Sequence, residues 1–233
     1  MQGYASVQQH NENESSQRQI PHLPQHKSFL QTFCSSNGPP QVVVVTFLTT
    51  LSYGAIVAIL PQVGTQRFAV LNYGYDGEDC ASFAYYDKPQ ECLKGSADAQ
   101  NAHAFSEFVA NGFIVLTGPL FGSITDTHGR RLWFVVGTVL AEVGIFAFFY
   151  VFFQPSSNPW VFYCIRSLHG VVNWIAISLS ILADIIPPEF RAAAVGQLMA
   201  AYWLGVCIGP TIAVFLGNTN AVIFSCIVAI IAI

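Results

Sequence analysis

Residues 122–131 read GSITDTHGRR, a short polar turn between two apolar stretches, Ala104–Phe121 and Leu132–Phe153. Each stretch is long enough to cross a bilayer, because a spanning helix needs about 20 mostly apolar residues. The turn itself contains one acidic residue and two adjacent arginines, as expected at a membrane surface. Two long apolar helices joined by a tight charged turn predict an integral membrane protein.

The composition of the whole chain agrees with a membrane protein. Hydrophobic residues make up 53% and charged residues only 9% of the chain, whereas a soluble domain has about 25% charged residues. A soluble fold could not cover its surface with so little charge. We therefore expect membrane lipid around the protein and no nucleic-acid partner. We also expect no cofactor and no metal site, since the sequence contains no CxxC, HExxH or EF-hand pattern.

The chain divides into a polar head and an apolar body. Residues 1–41 are rich in Gln, Ser, Asn, His and Pro without apolar periodicity, which predicts a disordered tail. Residues 42–233 predict six transmembrane spans, numbered one to six in chain order: Val42–Gln62, Ala104–Phe121, Leu132–Phe153, Trp160–Ala183, Ala192–Leu216 and Asn220–Ile233. Span six ends while still apolar and is shorter than a hydrocarbon core of about 30 Å. We therefore expect the six-helix bundle to be truncated within span six.

Positively charged residues in short loops indicate the orientation, because such loops remain in the cytoplasm. Arg130 and Arg131 lie between spans two and three, and Arg191 lies between spans four and five. The loops 154–159 and 217–219 contain no base. The tail should therefore be cytoplasmic and the long loop 63–103 should lie on the opposite side. The pattern fits a multi-pass protein of the plasma membrane or of an internal organelle membrane.

Two cysteines, Cys80 and Cys92, lie in this predicted outer loop. An oxidising compartment would allow a disulfide between them. Their spacing allows proximity without fixing the geometry that a disulfide needs. A disulfide and two free thiols are both compatible with the sequence.

The turn at 122–131 resembles the GxLaDrxGRR loop that joins the second and third helices of the major facilitator superfamily. The matching positions are Gly122, Asp126, Gly129, Arg130 and Arg131. Three further segments resemble motifs of the same family at their expected places: RSLHG at 166–170, the turn at 184–196, and GVCIGP at 205–210. The last segment resembles the beginning of an antiporter motif. Together the matches cover spans two to five.

The resemblance implies an all-α membrane fold in which residues 42–233 form the N-terminal six-helix half of a transporter. A second six-helix half is then the missing partner. Spans one and four would line a central cavity, and spans two and five would meet that second half. The turn at 122–131 would act as a charge-paired conformational latch, with simple topology anchoring by its arginines as the alternative.

Span five contains Gly205 and Gly209, followed directly by Pro210. Two small residues four apart lie on one helical face and let helix backbones approach closely. Pro210 removes a backbone hydrogen bond and can bend the helix. This segment is therefore a candidate for a closely packed hinge, and a plain packing contact is the alternative.

Ionisable side chains inside the spans mark the candidate transport site, because they are costly in a bilayer and usually line a pathway or form pairs. Arg166 and Asn173 should share one face of span four and line the cavity, with Arg166 contacting an anionic group. A structural ion pair of Arg166 with an acid on a neighbouring helix is the alternative. Glu142, near the bilayer centre, could be that acid. Glu107, close to the outer boundary, could simply be hydrated, and Tyr53 is a candidate solute contact.

These features predict secondary active transport of a small organic solute by alternating access, with proton-coupled antiport as one version. Span one contains no acid or base, so the usual carboxylate candidate for proton coupling is absent there. An enzyme is not predicted, because no paired aspartates and no serine and histidine with nucleophile spacing stand out. Two alternatives remain: a uniporter or symporter on the same fold, and a half-length membrane protein that binds partners without transport.

Overall fold

The computed structural model describes residues 28–35 and 38–233, which are mainly helical and contain no strand. The α-helices in this part of the chain are α1 Phe29–Ser35, α2 Pro39–Val57, α3 Leu60–Tyr73, α4 Gln90–His128, α5 Arg130–Phe153, α6 Trp160–Arg166, α7 Trp174–Ile185, α8 Arg191–Leu216 and α9 Asn218–Ala232. Short 3-10 segments at Tyr85–Asp87, Ser167–Gly170 and Pro188–Phe190 complete the helical structure.

Five helical segments in the described residues are long and apolar enough to cross a membrane: Pro39–Val57, Gln90–His128, Arg130–Phe153, Trp160–Ile185 and Pro188–Leu216. Helix α9 is equally apolar but has only 15 residues. At about 1.5 Å per residue it extends roughly 22 Å, less than a hydrocarbon core of about 30 Å. The predicted all-α membrane fold is confirmed, whereas a sixth crossing stays a prediction.

Helix α2 packs along both α8 and α9, and α5 packs against α6, α7 and α9. The contact between α2 and α8 is close because small residues meet there. A Cβ atom added to Gly54 of α2 would lie 2.9 Å from the carbonyl oxygen of Gly205 in α8. Without a hydrophobic force between helices in lipid, such close backbone packing is a main source of helix association.

Helices α4 and α8 each leave a wide apolar face uncovered. More than half of the surface of the following side chains is exposed: Phe108, Val115 and Leu116 on α4, and Trp203, Val214 and Phe215 on α8. Such faces are stable only against lipid or against another apolar protein surface. These are the two helices that the family resemblance assigns to contact with a second half.

The predicted tail and the start of span one need correction. The prediction that residues 1–41 are disordered is wrong for residues 29–35, which form α1. It is also wrong for residues 39–41, which belong to α2. The Phe29 ring contacts the rings of Phe33 (5.4 Å) and Phe190 (5.8 Å), so two aromatic residues one helical turn apart anchor α1. The remainder of that prediction, residues 1–27, 36 and 37, lies outside the described residues.

The predicted outer loop 63–103 is largely helical. Span one, expected to end at Gln62, is divided at residues 58–59, and α3 then continues to Tyr73. Gly74 ends α3 in a left-handed conformation (φ 66°), the usual glycine stop. Helix α4 begins at Gln90, well before the predicted Ala104. Hydropathy alone misses these segments because they are polar helices that extend α2 and α4.

Cys80 and Cys92 form a disulfide that closes the connection between α3 and α4. The Cys80 amide donates to the Gln66 side chain of α3 (2.8 Å). Asn72 and Tyr73 near the end of α3 both donate to Asp98 of α4, at 2.8 and 3.0 Å. The end of α3 and the start of α4 therefore form a cross-linked helical hairpin.

Candidate functional site

Arg166 is the centre of a polar cluster to which three helices contribute. Its Nη2 donates to Oε1 of Glu107 (2.9 Å) and to the Tyr53 hydroxyl (3.0 Å). The guanidinium carbon lies 4.3 Å from the centre of the Tyr53 ring, within the range of a cation–π contact. The cluster thus connects α6 with α4 and α2, and an internal acid balances the arginine charge.

Beside this cluster lies a cavity of about 140 Å³. Its walls combine polar, aromatic and aliphatic side chains: Thr49, Thr50, Tyr53, Ala141, Glu142, Ile145, Arg166, His169, Trp174, Ile175 and Tyr202. Pockets that enclose drug-sized ligands have volumes of roughly 300–1,000 Å³. The described residues therefore provide one polar wall and part of the volume that such a solute would need.

A break in the predicted span four places Arg166 in this cluster. Helix α6 ends at Arg166, a 3-10 segment follows, and α7 begins only at Trp174. Gly170 sits against the backbone of Ala110 in α4, where a Cβ atom would overlap the Ala110 carbonyl. Close approach of the two backbones therefore requires glycine at this position.

Two hydroxyl groups of α4 donate hydrogen bonds to backbone carbonyls around this break. Ser106 donates to the Tyr163 carbonyl (2.9 Å), and Thr117 donates to the Val171 carbonyl (2.8 Å). The His169 Nδ1 atom lies 2.6 Å from the Arg166 carbonyl oxygen. Interrupted helices in a membrane need such partners, since lipid supplies none. His169 therefore lies in the wall of the cavity with its ring anchored to the helix break.

Asn173 has a different role from the predicted one. Its side chain accepts a hydrogen bond from the Ala176 amide (3.2 Å) and caps the start of α7. The prediction that it shares a helical face with Arg166 is wrong, because the 3-10 segment changes the rotation per residue between them. The structure assigns Asn173 to helix capping and does not place it in the cavity wall.

The suggested pair between Arg166 and Glu142 is also wrong. Arg166 pairs with Glu107, so Glu107 is more than a hydrated surface acid. The Glu142 carboxylate instead accepts from the Ser52 hydroxyl, at 3.2 Å and 3.0 Å to its two oxygens. Glu142 is 1% exposed, so it faces α2 in the interior of the bundle.

Ser52 and Ser225 are polar neighbours that the sequence reasoning missed. Ser52 also donates to the Thr49 carbonyl (2.8 Å), and Ser225 of α9 donates to the Ser52 carbonyl (2.7 Å). The hydroxyl-rich run TFLTTLSY at 46–53 is the signal that could have indicated a polar face on span one. No group of three His, Cys, Asp or Glu side chains in the described part of the chain is arranged to hold a metal ion.

The turn at 122–131 carries a second charged cluster. Arg130 pairs with Asp126 (2.7 Å) and with Asp184 (2.8 Å), and it also donates to the Ser180 carbonyl (2.7 Å). It therefore joins the end of α4 and the start of α5 to the end of α7. Gly129 connects α4 and α5 with a φ of 88°, a conformation that favours glycine. The latch function of the turn stays a prediction.

The remaining motif residues have two different environments. Gly205 and Gly209 are buried against Thr50, Gly54 and Ala55 of α2. In contrast, a Cβ added to Gly122 would meet no atom within 4 Å. Helix α8 continues through Pro210 without a break. Gly205 and Gly209 thus pack inside the helical bundle, between α8 and α2, and their role as a hinge stays a prediction.

Comparison with known proteins places this arrangement in a family. The sequence model of the Major Facilitator Superfamily matches residues 42–233. An uncharacterized membrane protein of Schizosaccharomyces pombe is 24% identical over 184 residues, which cover 78% of this chain and 28% of that protein. Protein ZINC INDUCED FACILITATOR 1 of Arabidopsis thaliana is 29% identical over 118 residues, 49% of this chain and 23% of that protein.

The class B tetracycline resistance protein of Escherichia coli is 30% identical over 126 residues, which cover 49% of this chain and 30% of that protein. The chain therefore spans about a quarter to a third of the length of these relatives. The family match covers both the turn at 122–131 and the helices that hold the Arg166 cluster. The chain belongs to the major facilitator superfamily.

Proposed function

We propose that this chain takes part in secondary active transport of a small organic solute across a membrane by alternating access. The observation that carries the proposal is the Arg166 cluster, in which three helices bring a cation, an acid and a phenol to the edge of an internal cavity. Charged groups inside a membrane protein are costly and usually mark a solute or ion pathway. In this proposal Arg166 and Tyr53 contact the solute, and Glu107 holds the arginine in position.

The proposal includes a second six-helix unit that completes the cavity. Two features support it: the cavity volume of about 140 Å³ is small for an organic solute, and α4 and α8 expose wide apolar faces. A unit packed against those faces would close the cavity from the open side. Rocking of one unit against the other around a fixed site then gives alternating access.

The direct test is flux of labelled solute into liposomes that contain the purified full-length protein. Tetracycline is a suitable first probe, because several relatives are named for resistance to it. We expect saturable flux from wild type and none from Arg166→Ala. Leu168→Ala is the matched control, since Leu168 lies in the same segment with an exposed side chain outside the cavity wall and should keep wild-type flux.

Flux with and without a proton gradient separates antiport from uniport. Gradient-dependent flux supports a secondary active transporter, and flux that only follows the solute gradient supports a uniporter. If tetracycline is not moved, a panel of small organic solutes of both charge signs replaces it. Folded wild-type protein that moves no member of the panel would contradict the proposal.

A further inference from the structure

Glu142 is an acid in the centre of the bundle without a cation to balance it. Its side chain is 1% exposed, and among the described residues it forms no ion pair. Its hydrogen-bond donor in the structure is the Ser52 hydroxyl, which also donates to the Thr49 carbonyl. A carboxylate in this environment would have lost its hydration in exchange for the shared Ser52 hydroxyl and the neighbouring Thr49 hydroxyl, with no cation. The protonated, neutral form fits the site, because its own O–H can act as a donor.

The charged and titratable groups around Glu142 do not provide a free positive charge. The cavity that Glu142 borders is also lined by Tyr53, Arg166, His169 and Tyr202, and the Cys226 thiol of α9 lies near its carboxyl. Arg166 is the strongest cation in this set, but its Nη2 is directed to Glu107 at 2.9 Å. His169 has its Nδ1 atom at the Arg166 carbonyl, 2.6 Å away.

Glu142 lies where α5 meets α2, so a change in its charge would affect the contact between these two helices. It lies on α5 and meets Ser52 of α2, and the Ser52 carbonyl accepts from Ser225 of α9. Because Glu142 also borders the cavity, opening of that cavity would bring water to its carboxyl group. Ionisation would then be stabilised by hydration, whereas closure of α2 against α5 would favour return of the proton.

We propose that Glu142 is a proton-binding site, protonated while it is buried against Ser52 and deprotonated when the cavity opens to water. One proton moves between the carboxyl oxygen and cavity water, and no other bond forms or breaks. The helix that contains Tyr53 has no acid of its own, so α5 supplies the carboxyl that faces it. The claim that this proton takes part in solute transport rests on the proposed function. The claim that Glu142 binds a proton does not depend on it.

Infrared difference spectroscopy of the full-length protein in nanodiscs tests the site without a solute. A protonated carboxyl has a C=O stretching band that a carboxylate lacks. Wild type should show this band at acidic pH and lose part of it at alkaline pH. Glu142→Gln should lack the part of this band that Glu142 contributes at a pH where exposed acids are already ionised, and Glu189→Gln, which removes an exposed acid from the turn before α8, should retain it.

Glu142→Gln is expected to fold, because an amide resembles the protonated acid and keeps an oxygen for Ser52. A second measurement follows from linkage: deprotonation leaves a buried charge, so the melting temperature of wild type should fall as pH rises. That pH dependence should be weaker in Glu142→Gln. The difference between the wild-type and Glu142→Gln spectra separates this carboxyl from the other acids of the chain, and a difference that contains no carboxyl band responding to pH would overturn the proposal.

Flux measurements then assign the proton to transport. In a solute-transporting preparation, the ratio of flux with a proton gradient to flux without one should exceed unity in wild type and fall to unity in Glu142→Gln. An unchanged ratio in Glu142→Gln would overturn the coupling role. Absence of flux in wild type would count against the proposed function alone, because the infrared result does not depend on transport.

Discussion

Arg166 and Glu107 stabilise the protein as a pair, because removal of either leaves a partly buried charge without its partner. The Arg166 side chain is 15% and the Glu107 side chain 36% exposed. Glu107→Leu alone should lower the free energy of unfolding by about 1–3 kcal/mol. The double variant Glu107→Leu with Arg166→Leu should recover most of that loss. Thermal melting in detergent measures these losses, and a double-variant loss equal to the sum of the Glu107→Leu and Arg166→Leu losses would show that the two charges act independently.

The sequence indicates the candidate residues of this site more readily than it indicates which of them contact one another. Arg166, Glu107 and Glu142 stand out because each is ionisable within an apolar stretch. Their pairing depends on which helix faces are in contact, and chain order does not determine this. Depth near the bilayer centre suggests Glu142 as a partner for Arg166, whereas the structure pairs Arg166 of α6 with Glu107 of α4.

At the scale of helices, the close contact between α8 and α2 depends on glycine at positions 205 and 209 of α8, because glycine has no side chain. A Cβ at Gly205 would overlap the Thr50 hydroxyl, so Gly205→Ala should destabilise the protein by about 1–3 kcal/mol through overpacking. Gly196 on the same helix has no atom within 4 Å of an added Cβ. Gly196→Ala should therefore be neutral or stabilising by about 0.4–1 kcal/mol. Melting temperatures that fall equally in both variants would contradict this account.

The sequence predicts which segments form helices more accurately than it predicts where those helices begin and end. Apolar length identified five spans that the structure contains, because lipid requires long apolar segments. The extensions beyond the predicted spans, such as residues 90–103 of α4, are polar on their exposed side and resemble a loop in composition. The break in span four also has no hydropathy signal, since its cause is the contact of Gly170 with the backbone of another helix.

For the whole molecule, Arg130 connects the ends of three helices, α4, α5 and α7. Exposed ion pairs contribute about 0.2–1 kcal/mol each, so Arg130→Ala, which removes two of them, should lower stability by about 1 kcal/mol. Hydrogen exchange should rise at 122–131 and 180–186 because the helix ends separate more often. Arg131→Ala is the matched control, since Arg131 is exposed and next to Arg130 in the turn. The same increase in exchange for both variants would show that the Arg130 pairs do not hold the helix ends together.

The overall architecture follows from the sequence more directly than the cavity does. Alternation of apolar spans with charged turns specifies a helical bundle, because each helix satisfies its own backbone groups in lipid. The cavity is formed by side chains of several helices, including Thr49 of α2, Ala141 of α5 and Trp174 of α7. Its shape therefore depends on helix packing and could not be derived from spacing along the chain.

Alternating access of this cavity is the central claim, and it can be measured without knowledge of the solute. Ala141→Cys places a thiol in the cavity wall of the full-length protein, after the free cysteines of the described residues are changed to Ser: Cys34, Cys164, Cys207 and Cys226. Thr127→Cys and Ser96→Cys serve as controls that should react from the cytoplasmic side and from the opposite side, respectively. We predict that membrane-impermeant thiol reagents modify the residue 141 thiol from either side. Modification from one side only, under all conditions, would contradict the account.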